Sequence, residues 1–133
     1  MLWVLSVIIP ASNEAGYIEG CLSHLCASDA DRVEVIVVAN GCHDTTADVA
    51  RKTLAAHLPP GWTSRVLDLA QGSKPGALNA GDAVATHRMR AYLDADVHVS
   101  PGLLAGLIGA LTTAAPRYAS GTPVIPRAQT AVI

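Results

Sequence analysis

Runs of aliphatic and β-branched residues alternate four times along this chain with segments of helical periodicity, and the connections between them are short. Strands separated by helices in this way must lie parallel and be joined by right-handed crossovers. The fold class is therefore α/β, an open, mainly parallel sheet with helices on both faces. Trp3 to Ile9 is a β-branched and apolar run broken only by Ser6, as expected of a strand covered on both sides. Pro10 is expected to end it, with Ser12 or Asn13 as an N-cap and Glu14 in the first turn of the helix that follows. Ile18, Cys21, Leu22 and Leu25 mark its buried stripe. Val33 to Ala39 reads as the second strand, and a helix opens near Thr45, which has capping-box spacing to Asp48. Ala47, Ala50, Leu54 and Leu58 face inward, and Pro59-Pro60-Gly61 stops this helix.

Arg65 to Leu69 is a third, shorter strand. Pro75 suits a first helical turn, and the helix expected from Gly76 to His87 is rich in small residues (Ala77, Ala80, Gly81, Ala83) that let it lie close to a sheet. Arg88 to Leu93 reads as the fourth strand. Ser100-Pro101 opens a fourth helix, with Leu103, Leu104, Leu107, Ile108 and Leu111 as its apolar face. Tyr118 to Ile125 is a last strand candidate, interrupted by Gly121 and Pro123.

With 133 residues, half of them hydrophobic and 15% charged, one domain over 1–133 is expected, burying roughly two-thirds of its unfolded surface. A net charge of −2 without a basic stripe argues against a nucleic-acid partner. Cys21, Cys26 and Cys42 form no C-x-x-C pair, which suits reduced thiols and a cytoplasmic location. The apolar start has no basic flank or cleavage site, and the run from Leu103 to Ala115 is too short for a bilayer, so no membrane span is expected.

Open parallel sheets take ligands at the carboxyl ends of their strands, and here those ends are polar. Ser12, Asn13 and Glu14 follow the first strand, and Asn40, Gly41, Cys42, His43 and Asp44 follow the second. The loop after the third closes on Lys74, and the fourth runs into Asp94-Ala95-Asp96. Residues i and i+2 of an extended segment point to one side, which sets the two carboxylates together. At about 4 Å their repulsion is ~1 kcal/mol in water and ~4 kcal/mol at an effective dielectric near 20. A hard divalent cation, Mn²⁺ or Mg²⁺, removes it and can hold a diphosphate. Taken alone, the same triplet is more often an ordinary loop with a capping Asp than a metal site. No G-x-G-x-x-G follows the first strand and no Walker loop occurs, so glycine-rich backbone does not supply a phosphate cradle.

Four segments carry a resemblance: V-I-I-P-A-S-N-E (7–14), V-V-A-N-G-C-H-D-T-T (37–46), K-P-G-A-L-N-A-G (74–81) and Y-L-D-A-D (92–96). In order and spacing they resemble the nucleotide-sugar-binding part of family 2 glycosyltransferases with the GT-A fold. The resemblance implies a glycosyltransferase that moves a sugar from a nucleoside-diphosphate sugar to an acceptor it leaves unnamed. It implies that Pro10, Ala11, Asn13 and Glu14 form the first nucleotide loop, with Glu14 near base and ribose. Where the family reads Asp-Asp-Gly-Ser, this chain has Ala39-Asn40-Gly41-Cys42, and Asn40 is left to read a pyrimidine edge. Lys74 matches a basic position facing the nucleotide, and Asn79 a helix asparagine of structural kind. Asp94 would lean toward the ribose, and Asp96 would ligate the metal, with Ala95 between them.

The general base of the family lies well beyond this motif, so the fold is expected to stop short of the acceptor part, with the base past residue 133. The alternative reading is a non-catalytic nucleotide-sugar-binding module or inactive fragment. A nucleotidyltransferase fits less well, lacking its glycine- and arginine-rich loop. His98, two residues past Asp96, is a candidate third ligand, whereas His43 reads as a bystander and His24, His57 and His87 as surface residues. Cys42 lacks a base to activate it.

Overall fold

The computed structural model describes residues 4–112. Strands β1 (Val4–Ala11), β2 (Arg32–Asn40), β3 (Thr63–Leu69) and β4 (Arg90–Tyr92) alternate with helices α1 (Ile18–Cys26), α2 (Thr46–His57), α3 (Lys74–Val84) and α4 (Leu103–Thr112). The strands form one parallel sheet in the order β3-β2-β1-β4. The open α/β class is thus as expected, while the strand candidate at Tyr118 to Ile125 lies outside the described residues.

Period-two alternation divides β1 and β2 between two cores. Leu5, Val7, Ile9 and Ala11, with Val33, Val35 and Val37, join Leu22 and Leu25 of α1, Ala50 and Leu54 of α2, and Leu104 and Ile108 of α4. Ile8, Ile36 and Val38 face the other way, onto Ala77 of α3. Burial on both faces is why these strands read as apolar runs, interrupted only by Ser6 and Glu34, which bond to each other. Gly81 lets α3 come close: a Cβ there would stand 2.5 Å from the Cγ2 of Ile8.

Several boundaries differ from expectation, each for a local reason. Pro10 does not end β1; it pairs with Val38, and Ala11 with Ala39. Ser6 N–H donates to Met89 and Leu93 N–H to Ile8, so even-numbered residues of β1 turn their backbone toward β4. β4 stops at Tyr92, so the N–H that Pro10 lacks falls where no ladder bond is required. α1 begins at Ile18 rather than beside Asn13, with the Glu14 carbonyl accepting from the N–H groups of Tyr17 and Ile18. Thr45 forms no capping box, because the carboxylate of Asp44 takes the Thr46 N–H at 3.0 Å instead.

α3 starts earlier and ends earlier than its apolar pattern implies. Ser73 caps it, accepting from Gly76 N–H at 3.0 Å, with Pro75 in the first turn. Beyond Val84 the chain is drawn down to the sheet: Thr86 donates its N–H (2.9 Å) and hydroxyl (3.2 Å) to Glu34, and His87 N–H reaches Ser6 Oγ (3.3 Å). His87 thus lies past the helix, beside an acid, and not on a bare helical surface. Burial pushes the Glu34 carboxyl up, but hydrogen bonds from Thr86 and Ser6 outweigh it and hold the group below its usual range.

The Gly81–Ile8 contact makes a signed prediction. Gly81→Ala should destabilise the fold by about 1–3 kcal/mol despite the better helix propensity of alanine. In an Ile8→Ala background the same change should cost less or become favourable, because the methyl then has room. Urea denaturation of the four-member cycle measures this, and additive losses would contradict the contact.

Candidate functional site

β1, β2 and β3 are laid down in one direction, after which α3 carries the chain back across the sheet to place β4 on the far side of β1. β1 and β4 therefore flank the point where strand order reverses, the place where open sheets leave a crevice at their carboxyl ends. A crevice of about 550 Å³ opens there. Pro10, Ser12 and Glu14 line it from the end of β1, Asn40 from β2, Gly72, Ser73 and Lys74 from the start of α3, and Asp94, Ala95 and Asp96 from the segment after β4.

The loops after β1 and β2 are tied together by bonds between side chains and backbone. Asn13, at φ +53°, accepts from His43 N–H at 2.8 Å, while its own N–H points to Cys42 Sγ at 3.5 Å. Glu14 N–H donates to Thr46 Oγ1 (2.9 Å) and Ala15 N–H to Asp44 Oδ2 (3.1 Å). The Thr46 hydroxyl in turn donates to Asp44. These bonds explain why Ser12 and Asn13 are not helix caps. They also hold the Asp44 carboxyl below its usual range, the Thr46 hydroxyl contributing most.

A third tie fixes α3 to the same edge. Asn40 is buried; its Nδ2 donates to the carbonyls of Ala11 and Val38, both at 3.2 Å, and its Oδ1 accepts from Ser73 N–H at 2.9 Å. Gly41 (φ +57°) and Gly72 meet face to face, so a Cβ on Gly41 would lie 2.5 Å from Gly72 Cα. The expectation that the Asn40 amide reads a base meets an amide whose two N–H groups are already committed to the protein. Asn40 braces the crevice floor and Ser73 above it.

The aspartates are not on a regular strand, since β4 ends at Tyr92 and the segment turns, Val97 N–H donating to the Asp94 carbonyl at 3.1 Å. The side-to-side alternation nevertheless persists. Leu93, Ala95, Val97 and Val99 are all buried in the larger core, which turns Asp94, Asp96 and His98 outward. Beneath them Cys21 is pinned, its thiol toward the Asp94 carbonyl at 3.7 Å; burial, then the charge of Asp96, pushes it up to about 12. The three cysteines are free thiols, as expected.

Lys74 Nζ sits 2.8 Å from Asp94 Oδ1, both side chains about half exposed. Among the described residues the Asp96 carboxylate has no ion pair. Burial raises the Glu14 carboxyl, and Asp96, Asp44 and Asp94 add to the rise in that order. The crevice thus gathers more negative charge than Lys74 offsets.

Of the residues picked out by sequence, Pro10, Glu14, Asn40, Lys74, Asp94, Ala95 and Asp96 line the crevice. Ala11 is buried and contributes a carbonyl to Asn40, while Asn13 serves the loop tie; neither lines it. Asn79 is exposed on α3, away from the lining. His98 does not join the aspartates: its ring stacks on His24 of α1, centroids 4.1 Å apart, with its Nε2 against Gly20. Ser12, one of the polar residues expected at the end of β1, also lines the crevice, whereas Gly72 and Ser73 were missed as lining residues. A signal for Ser73 existed, since serine followed by Lys74-Pro75 is a helix-start pattern.

An open parallel sheet with polar loops converging at its switch point defines an α/β domain with a ligand-sized crevice at its carboxyl edge. The family model described as glycosyl transferase family 2 matches residues 6–131, and the chain belongs to that family. An uncharacterised glycosyltransferase of Nostoc sp. is 34% identical over 92 residues, covering 69% of this chain and 28% of the relative. The mannosyltransferase PcManGT of Pyrobaculum calidifontis, solved with GDP-Man and Mn²⁺, is 30% identical with a TM-score of 0.64, over 69% of this chain and 27% of that one. S. aureus TarS, solved with UDP-GlcNAc, is 25% identical with a TM-score of 0.67, over 80% and 30%. The fold is thus GT-A, and the chain spans under a third of the length of these relatives. Among the described residues no helix is long and apolar enough to cross a membrane.

The loop tie gives a pH-dependent prediction. Asp44 has a folded value below its ordinary 3.8, so its contribution is fully present above about 3.8 and is lost as pH falls through the lower folded value. Asp44→Ala should lower the melting temperature at pH 7, and the gap from the parent should narrow below pH 4. A gap independent of pH in thermal melts would contradict the charged tie.

Proposed function

We propose that this segment holds the nucleoside-diphosphate sugar donor of a glycosyltransferase, with the acceptor site and general base supplied outside residues 1–133. One observation carries it: Glu14, Lys74, Asp94 and Asp96, from three separate loops, line a single crevice at the switch point of a family 2 fold. The relatives solved with GDP-Man and Mn²⁺ and with UDP-GlcNAc support a donor of this chemical class.

The donor set suits a hard divalent cation, Mn²⁺ or Mg²⁺. Asp94 and Asp96 offer carboxylate oxygens on one side of an anchored segment, and the negative charge they share is felt at Glu14. Among the described residues no group of three or more His, Cys, Asp or Glu is arranged to hold an ion, so donor oxygens and water would complete the shell. When bound, such an ion acts as a Lewis acid toward the diphosphate oxygen on which charge grows as the sugar leaves, worth several kcal/mol.

The chain's own residues orient the donor. Lys74, at the start of α3, brings a mobile cation to the diphosphate, and Glu14 lies on the side given to base and ribose. The identity of the base is left to positions other than the Asn40 amide hydrogens. Inversion of configuration would require a carboxylate base near the acceptor hydroxyl, from the remainder of the protein. The free thiols fit a reducing, cytoplasmic setting.

Calorimetric titration with UDP and with GDP tests the reading. One of them should bind in the presence of Mn²⁺, and chelation or Asp96→Ala should weaken it by about tenfold or more, ~1.4 kcal/mol upward. Equal affinity with and without the ion would remove Asp94 and Asp96 from the proposed role.

A further inference from the structure

We propose that the Lys74 ammonium is a placeholder for the divalent cation, seated on Asp94 while the crevice is empty and transferred to the diphosphate when the donor enters. Cation and diphosphate would then bind cooperatively, each weak alone. The inference rests on the donor-binding reading above.

The ion pair joins the cation-bearing side chain of one loop directly to a carboxylate needed by the metal, at 2.8 Å. An ion arriving alone would have to share Asp94 with that ammonium or evict it into water with nothing in exchange. A diphosphate offers the ammonium a new partner of higher charge, so the two arrivals assist each other, and by linkage the assistance is equal in both directions. The pair is built to exchange. Its side chains are 62% and 47% exposed, and exposed pairs of this kind shift an equilibrium by only about 1.5- to 5-fold.

Which partner moves is also decided. The base of Lys74 is fixed, because Ser73 N–H is held by Asn40 and Ser73 Oγ caps α3, but four methylenes let its head swing. The Asp94 backbone cannot follow, held between buried Leu93 and buried Ala95, and its side chain is three methylenes shorter than that of Lys74. Lysine at a helix start is also disfavoured by the positive end of the helix dipole, and the first turn of α3 holds no acid to offset it. Asp94 is therefore its counter-charge until an anion replaces it.

The test measures Mn²⁺ binding without nucleotide, from the electron paramagnetic resonance signal of the free ion, alongside UDP and GDP titrations at saturating Mn²⁺. Lys74→Met should bind Mn²⁺ alone about two- to fivefold more tightly than the parent, yet bind the nucleoside diphosphate more weakly. Lys74→Arg, which keeps the charge, should leave Mn²⁺ binding near the parent's. Mn²⁺ binding that Lys74→Met leaves unchanged, weaker or undetectable overturns the placeholder, as does equal tightening by Lys74→Arg. If Mn²⁺ dependence and its loss in Asp96→Ala persist in that case, the donor reading survives. If the parent's nucleotide binding ignores Mn²⁺, the donor reading itself falls.

Discussion

The pairing of β1 with β2 on one side and β4 on the other is the constraint on which the crevice depends. Because all three run parallel, their carboxyl ends arrive at one edge, and because β4 is added last on the far side of β1, that edge is split open. Register then sets depth: Ala11 ends level with Ala39, while β4 pairing stops at Tyr92 beside Ile8, short of Pro10. The aspartates thus leave the sheet just past that last pair and line the crevice together with the ends of β1 and β2.

What keeps the edge in shape is mostly uncharged. Asn40 joins the end of β1, its own strand and the start of α3 through three bonds from one buried amide. Asn13, Asp44 and Thr46 lock the other two loops together. An aspartate in place of Asn40 would lose both donor hydrogens and set a carboxylate against the Ala11 and Val38 carbonyls, the kind of buried mismatch that costs ~1–3 kcal/mol. The charged groups are left at the rim, with solvent and ligand.

The alternation of apolar runs made the sheet legible, because Val33 to Val38 and Leu5 to Ile9 are buried on both faces and their only polar members, Glu34 and Ser6, bond to each other. Boundaries were less legible wherever a polar side chain had two partners to choose from. Ser12 and Asn13 look like caps from sequence, yet tertiary bonds to the next loop claim that edge and delay α1 to Ile18. Thr45 and Asp48 have the right spacing for a capping box, but Asp44 is nearer. The same limit applied at the site. Lys74, Glu14, Asp94 and Asp96 were recognisable as a set, whereas the direction taken by His98 depended on a ring on α1, 74 residues earlier in the chain at His24. Asn40 lines the crevice, but the partners of its amide across the sheet edge, Ala11 and Ser73, could not be seen from sequence.

The buried set Leu93, Ala95, Val97 and Val99 acts as a ratchet of step two. Substitutions at the outward teeth, such as His98, leave the pawl engaged, and so does an insertion of two residues. Losing or gaining a single residue would swing the carboxylates under the sheet and the valines into water. Within this segment a change of length is thus costlier than a change of letter at an outward position such as His98.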